Sequence, residues 1–316
     1  MHELPAAVKI STGIVGTAAG PRVEEVDARW LMAYAAALGE TAPEFFDTTR
    51  PAGILTHPLF PVCYEWPLAL DIRAKVLTDG IAIRGVHATH HLVIHRPPRA
   101  GDALATTAAI TAVEPRTPGA YVLTRFETVD ASRRPVTTTD YGSLYLGVTC
   151  EGEEVAPSPL PSPPEAEREQ GAHAGKSRTP SPVGRAKDEG PDWSATVSIP
   201  ANLAHVYSEC ARIWNPIHTD RAVALAAGLP DIILHGTANL ALAVSQVLRR
   251  EPPGAAGRTR RISCRFGGMV RLPSTLTVQG WGAREAGDGR AIRFRALNDE
   301  GRPAIRDGVM VLAPSP

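Results

Sequence analysis

Two histidines in the segment 211–243 have surroundings suited to acid–base chemistry. His218 ends the motif Asn-Pro-Ile-His, in which the proline stiffens the turn. His235 and Gly236 precede a strongly apolar stretch that predicts a helix, and a helix N-terminus presents free N–H groups. An imidazole can transfer a proton, and a backbone N–H can hold an oxygen that gains negative charge. This segment is therefore the candidate site.

Each residue of the candidate site also has a structural explanation. A lone loop histidine is more often structural or exposed, and His235 can simply shape the start of its helix. Asn215 can bond a water or the imidazole, or it can bridge a turn. Gly236 allows close backbone approach to a ligand, or it can serve packing alone.

Composition sets broad limits on the kind of protein. The chain has 316 residues, which favours about two domains. It is 43% apolar and 21% charged, close to ordinary globular usage. Basic and acidic residues number 33 each, so the net charge of zero gives no argument for a nucleic-acid or membrane partner. Zero net charge also removes one barrier to self-association and is compatible with a homodimer.

The four cysteines are Cys63, Cys150, Cys210 and Cys264, and none forms a CxxC pair. This spacing disfavours both a zinc site and a disulfide-stapled domain. The first residues contain no basic segment followed by a long apolar run, and no stretch approaches the roughly 18 apolar residues of a membrane span. We expect a cytoplasmic protein that has no metal or other cofactor.

The segment 151–191 is rich in proline, serine, glutamate and glycine, and it predicts a flexible linker between parts at 1–150 and 192–316. The two parts resemble one another. Tyr34 matches Tyr207, and His57 matches His235 in the same order. Together these matches suggest a duplicated module. We interpret His57 as structural.

Both parts have the same predicted organisation. In the second, "TDRAVALAAG" predicts a short helix and "ILHGTANLALAVSQVLRR" a longer buried one, followed by four alternating runs that predict antiparallel strands. Four similar runs occupy 89–148 of the first part. Each module is therefore a helix with an antiparallel sheet, which is an α+β arrangement.

The motif "NPIHTDRAVALAAGLPDIILHG" resembles the signature of the MaoC-like hydratase/dehydratase family of the hydratase 2 type. The first part, with "HRPPRAGDAL" and "TDYGSLYLGV", is similar to the N-terminal repeat of double hot-dog members. The resemblance implies a double hot-dog fold, in which each of two antiparallel sheets wraps a central helix and the two repeats pack as a pseudo-dimer. It also implies an (R)-type 2-enoyl-CoA hydratase or 3-hydroxyacyl-thioester dehydratase, a hydro-lyase of fatty acid metabolism. Its substrate partner would be an acyl-CoA or an acyl-carrier-protein thioester.

The resemblance assigns roles to the second part, with the first forming a non-catalytic wall of the pocket. His218 becomes the central acid or base, Asn215 its orienting partner, and the Gly236 N–H the donor to the thioester oxygen. For His235, a substrate contact and a purely structural role stay equally open.

One departure from the family pattern puts the usual mechanism in question. The pattern Ser-Gly-Asp-x-Asn-Pro-x-His places Ile213 at the aspartate and Arg212 at the glycine. Isoleucine cannot move a proton, and losing one member of an acid–base pair removes roughly 10²–10⁴-fold in rate. Asp220 and Asp231 are the nearest substitutes in sequence, although Asp220 also suits a helix N-cap and Asp231 a loop turn. We further expect Ile213 and Trp214 to contact substrate.

Other interpretations stay open. The protein could bind acyl thioesters without turning them over, or it could be a hot-dog thioesterase. The first part has Glu40 at the aspartate position and Phe45 at the histidine position, and nothing in the sequence brings Glu40 near His218. In the run "HATHH", strand alternation predicts that His87 and His90 point to opposite faces, which argues against a metal site.

Overall fold

The computed structural model describes residues 8–152, 190–286 and 289–314. Nearly all of the predicted linker at 151–191 lies outside these residues, so the linker and its boundaries stay predictions. The described part has an α+β fold, as the sequence predicted.

The first half contains three helices and seven strands. In chain order these are β1 (Lys9–Ser11), β2 (Ala18–Val26), α1 (Ala28–Ala37), α2 (Pro61–Val76), α3 (Asp79–Ala82), β3 (Gly85–Ile94), β4 (Asp102–Arg116), β5 (Gly119–Val129), β6 (Pro135–Leu146) and β7 (Thr149–Glu151).

The second half contains four helices and five strands. In chain order these are β8 (Trp193–Ile199), α4 (Leu203–Ala211), α5 (Arg221–Ala226), α6 (Gly236–Leu248), α7 (Ala255–Arg258), β9 (Thr259–Phe266), β10 (Ser274–Ala286), β11 (Gly289–Leu297) and β12 (Pro303–Leu312).

The strands of the two halves form one ten-stranded sheet in the order β2-β4-β5-β6-β3-β9-β12-β11-β10-β8. From either edge inward, the order is the same, so the two halves share one topology. They join where β3 pairs antiparallel with β9, for example His90 with Cys264. The two expected sheets are therefore fused at a shared edge, while β1 and β7 form a separate parallel pair.

The eight strands that the sequence predicted are all present, and the outer strands β2 and β8 were missed. Both lie at the edges of the sheet, and their residues are mostly exposed or half-buried. Few large apolar side chains face a core there, so the alternation that predicts a strand is weak.

The long helices α2 and α6 lie in the core. Every residue of α6 from Ala238 to Val247 is buried, which confirms the buried helix expected from its uniform apolarity. The repeat-matched Tyr34 and Tyr207 are both fully buried, and their hydroxyl oxygens lie 3.5 Å apart. None of the helices in the described part of the chain combines the length and apolarity needed to cross a bilayer.

Candidate active site

A cavity of about 180 Å³ is lined by residues from both halves of the chain. The second half contributes residues from the loop after α4, the loop before α6 and the start of α6. The first half contributes one face of α2 together with side chains of β3, β5 and β6. The polar and aromatic lining residues include Glu65, Trp66, Arg73, His87, Tyr141, Asn215, His218, His235, Thr237 and Asn239.

His218 is held as a neutral base. Its Nδ1 lies 2.8 Å from the carbonyl oxygen of Ile233. Because a carbonyl only accepts, Nδ1 must carry the proton, and Nε2 keeps its lone pair. Burial lowers the pKa of His218 to about 4, against the opposing effect of the Ile233 bond. The imidazole can therefore accept a proton at neutral pH.

His235 supports the ring of His218 from one side. The two imidazoles are stacked, with centroids 3.8 Å apart and planes 29° apart. The Nε2 of His235 lies 3.1 Å from the hydroxyl oxygen of Ser208. Burial, and secondly the neighbouring His218, lower the pKa of His235 well below its ordinary value. The two stacked rings are therefore neutral, and both line the cavity. The Nε2 atom of His218 keeps a lone pair that can accept a proton.

The helix that follows the two histidines supplies hydrogen-bond donors. His235 is the N-cap of α6, Gly236 is its first residue, and both line the cavity. The first N–H groups of a helix have no intrahelical acceptor and carry partial positive charge. They can hold an oxygen on which negative charge develops.

A buried carboxyl group on α2 also lines the cavity. Glu65 is only 4% exposed and accepts a hydrogen bond of 2.6 Å from the Thr139 hydroxyl. No cation of the described residues forms an ion pair with it. Burial raises the pKa of Glu65 to about 8, although the Thr139 bond acts in the opposite direction. Glu65 is thus protonated at neutral pH and can donate a proton.

The sequence analysis did not identify Glu65. The cavity does combine both halves of the chain, but its carboxyl group comes from Glu65 and not from Glu40. Glu40 does not line the cavity, and its Oε2 lies 3.5 Å from an Arg249 nitrogen. The sequence feature that could have identified Glu65 is the presence of a glutamate inside the otherwise apolar stretch "PVCYEWPLAL".

Two family profiles match the chain. Residues 185–299 match the family described as "MaoC like domain", and residues 13–139 match "FAS1-like, dehydratase domain region". The second half is a MaoC-like domain. The resemblance inferred from the motif around His218 is thereby confirmed.

Curated relatives match over short stretches of the chain. The fatty acid synthase subunit beta of Aspergillus oryzae is 40% identical over 88 residues, which is 27% of this chain and 4% of that protein. The enoyl-CoA hydratase ChsH3 of Mycobacterium tuberculosis is 32% identical over 114 residues, which is 36% of this chain and 39% of that protein. The matches thus span well under half the length of either relative.

Solved structures match over nearly the whole chain. A MaoC-like dehydratase from Phytophthora capsici has a TM-score of 0.74 at 20% identity, covering 96% of this chain and 98% of that one. A Mycobacterium tuberculosis protein described as having a double hot-dog fold has a TM-score of 0.57 at 17% identity, covering 94% and 96%. These similarities establish the double hot-dog fold.

The departure from the MaoC-like pattern at Arg212 and Ile213 has a structural explanation. Arg212 caps α4 with a φ of 57°, the left-handed conformation that suits the family's glycine. Its guanidinium lies 3.9 Å from the centre of the Trp30 ring, a cation–π contact that offsets the backbone strain. Ile213, as expected, lines the cavity, and it is only 4% exposed.

The two substitute carboxylates proposed from the sequence do not line the cavity. Asp220 is the N-cap of α5 and accepts a bond of 2.8 Å from the Ala222 N–H. Asp231 accepts from the Ile232 N–H at 2.8 Å and lies 3.4 Å from Arg221. Local contacts hold both groups, which corrects their assignment as catalytic residues.

Two other predicted site residues also need correction. Trp214 is 59% exposed and does not line the cavity, because it follows buried Ile213 in an extended loop and faces away. Asn215 does line the cavity. The bond that orients His218, however, comes from the Ile233 carbonyl.

The run "HATHH" differs from its prediction. A register shift between His87 and Thr89 interrupts the alternation, and the rings of His87 and His90 lie 5.5 Å apart. They therefore do not point to opposite faces. Burial lowers the pKa of each, and the described residues contain no group of three side chains that could hold a metal.

Proposed function

We propose that this protein catalyses the reversible addition of water to a 2-enoyl thioester, giving an (R)-3-hydroxyacyl thioester. The observation that carries the proposal is the presence in one cavity of a neutral base, His218, and a protonated acid, Glu65. The names of the relatives, an enoyl-CoA hydratase and a fatty acid synthase subunit, support an acyl thioester substrate.

The base acts on water. The lone pair on Nε2 of His218 accepts one proton as the water oxygen forms its bond to C3 of the enoyl group. The bond from Nδ1 to the Ile233 carbonyl fixes the tautomer and becomes stronger when the ring turns positive. The stacked His235 keeps the ring plane in place.

The acid and the helix N-terminus act on the other side of the double bond. Electron density moves from C2–C3 toward the thioester oxygen, which accepts a hydrogen bond from the Gly236 N–H. Glu65 then gives its proton to C2, and the thioester carbonyl is restored. The products are the hydroxyacyl thioester, an imidazolium and a carboxylate. A solvent molecule returns the proton from His218 to Glu65 before the next turnover.

Ile213 has a consistent place in this scheme. Its side chain forms an apolar part of the cavity lining, to which His218 also contributes. Glu65, which comes from the first half of the chain, takes the place of the family's aspartate. An apolar wall also disfavours ionisation of Glu65, which keeps the proton available for transfer.

An enoyl-thioester assay tests the proposal. Crotonyl-CoA and longer 2-enoyl-CoAs are followed by loss of enoyl absorbance, with free thiol measured in parallel and the product resolved on a chiral column. We expect (R)-3-hydroxyacyl product from wild type, and its loss in His218→Ala. Thiol release without hydration would instead identify a thioesterase. Tight acyl-CoA binding with neither product would identify a binding protein.

A further inference from the structure

Arg73 lies in the cavity wall without a carboxylate partner. Its Nη2 lies 3.1 Å from the Tyr141 hydroxyl, and its guanidinium lies 5.4 Å from the Trp66 ring centre and 5.7 Å from that of Tyr141. No acidic side chain of the described residues forms an ion pair with it. The guanidinium also donates to the phenol of Tyr145, so neutral phenol oxygens and two aromatic rings, rather than a carboxylate of the described residues, surround a full positive charge.

Such an arrangement is costly unless an anion completes it. Arginine stays protonated in proteins, so burial cannot remove its charge. A half-buried cation that no carboxylate neutralises loses hydration with only partial compensation from aromatic rings. By contrast, the half-buried Arg96 pairs with Asp102 at 2.7 Å and Arg125 pairs with Asp140 at 2.7 Å. Arg73 is thus the guanidinium best placed to accept a negatively charged ligand group inside the cavity.

The location of Arg73 indicates which part of a substrate it would meet. Glu65, Ala69 and Arg73 are spaced four residues apart on α2, and all three line the cavity. They therefore follow one face of the helix, and the first and last are separated by roughly 12 Å along its axis. An anion at Arg73 would lie away from the carbons on which Glu65 and His218 act.

We propose that Arg73 binds a carboxylate on the acyl group, so that the preferred substrate is an enoyl thioester with a second, free carboxyl group. This inference rests on the hydratase function proposed above and names its substrate class. A planar guanidinium binds a carboxylate through two parallel hydrogen bonds. The guanidinium also lies beside the rings of Trp66 and Tyr141 in the same cavity as Glu65, which favours a carboxylate of the acyl group over a coenzyme phosphate.

Paired substrates test the proposal on the wild-type protein. 2-Enoyl-CoAs of equal carbon number end either in a carboxylate or in a methyl group, over a series of increasing length. At the best length we expect kcat/KM to favour the carboxylate by roughly 10²-fold, because the methyl analogue leaves the guanidinium unpaired. Equal values, or a preference for the methyl series, would overturn the proposal.

Arg73→Gln separates a carboxylate site from a phosphate site. If Arg73 binds the acyl carboxylate, the variant loses activity only on the carboxylate series and keeps the methyl series. If it binds coenzyme phosphate, both series lose activity equally, which contradicts the proposal. Lys75→Gln is the matched control, because Lys75 lies on the same helix with its Nζ bonded to the surface carbonyl of Ala18. It should leave both series unchanged.

Two further measurements test the carboxylate site even if Arg73→Gln folds poorly or the protein shows no turnover. Arg73→Lys keeps the charge without the planar fork, and should retain part of the preference even if Arg73→Gln folds poorly. Calorimetric binding of saturated acyl-CoAs, with and without the terminal carboxylate, does not require turnover. If neither enoyl series is hydrated, the proposed function fails, while the binding ratio still supports or overturns the carboxylate site.

Discussion

The two halves place different residues at corresponding positions of one scaffold. In the second half, His218 stacks on His235 at 3.8 Å and faces the cavity. In the first half, Phe45 stands beside His57 with ring centres 6.4 Å apart, and it packs in a small apolar cluster. His57 donates from Nε2 to Ser245 at 3.2 Å, since its Nδ1 accepts from the Leu59 N–H. In the proposed mechanism, the pair His218–His235 serves catalysis. The corresponding pair Phe45–His57 serves packing.

The two buried glutamates of the first half show a second contrast. Glu40 lies 3.5 Å from Arg249, across the junction between the halves. Among the described residues, Glu65 accepts a hydrogen bond from Thr139 alone, and it faces the cavity. A paired carboxylate holds structure together, whereas an unpaired buried one retains a proton that it can transfer. In the proposed mechanism, the first half supplies the acid and the second half supplies the base.

The largest expected effect separates the two histidine positions. His218→Ala should lower kcat for enoyl hydration by roughly 10²–10⁴-fold, because the base is lost. Its melting temperature should also fall, because the Ile233 carbonyl loses its hydrogen-bond donor, so kcat is measured well below that temperature. His57→Ala should cost about 1–3 kcal/mol of stability, since Ser245 and the Leu59 N–H lose their buried partner. Its kcat should stay within about twofold of wild type. Equal rate losses in both variants would contradict the contrast.

Glu65→Gln should lower kcat by roughly 10²-fold, since an amide keeps the Thr139 bond but cannot donate a proton to carbon. The same substitution should raise the stability of the protein at alkaline pH. The folded state holds the Glu65 proton up to about pH 8, against an ordinary value of 4.5, so wild-type stability falls as pH rises between these values. The glutamine variant avoids that loss. Thermal unfolding at pH 9 should therefore show a higher Tm for the variant, and a lower Tm there would indicate a structural role.

The pH profile should report both groups. His218 must be neutral, which holds above about pH 4, and Glu65 must be protonated, which holds below about pH 8. We expect kcat/KM for hydration to stay level between these values and to fall above about pH 8. The profile of Glu65→Gln should lack the alkaline fall. An alkaline fall that persists in this variant would assign it to another group.

The smallest expected effect concerns Asp220, one of the two carboxylates that lie nearest to His218 in sequence. Asp220→Ala removes the N-cap of α5 and should cost about 1 kcal/mol of stability. Because Asp220 does not line the cavity, kcat should stay within about twofold of wild type. A large rate loss at unchanged stability would return Asp220 to the mechanism.

Sequence reasoning located the elements and one side of the site. The buried helix α6 and the inner strands follow from local periodicity. Five of the lining residues follow from the segment around one motif: Ile213, Asn215, His218, His235 and Gly236. Glu65 and Arg73 did not, because their role depends on α2 packing across the junction between the halves. The local signal is a glutamate inside the otherwise apolar stretch "PVCYEWPLAL", with Arg73 eight residues further along the same helix. A bulge likewise brought His87 and His90 together against simple strand alternation.

The most direct test of the composite site is a double-mutant cycle. Hydration kcat is measured for wild type, His218→Ala, Glu65→Gln and the double variant, with the same enoyl thioester under saturating conditions. If the two groups act as one unit, each single variant loses at least about 10²-fold, and the double variant loses little more than the worse single one. Wild-type kcat in Glu65→Gln would contradict the account, because a group other than Glu65 would then have to supply the proton.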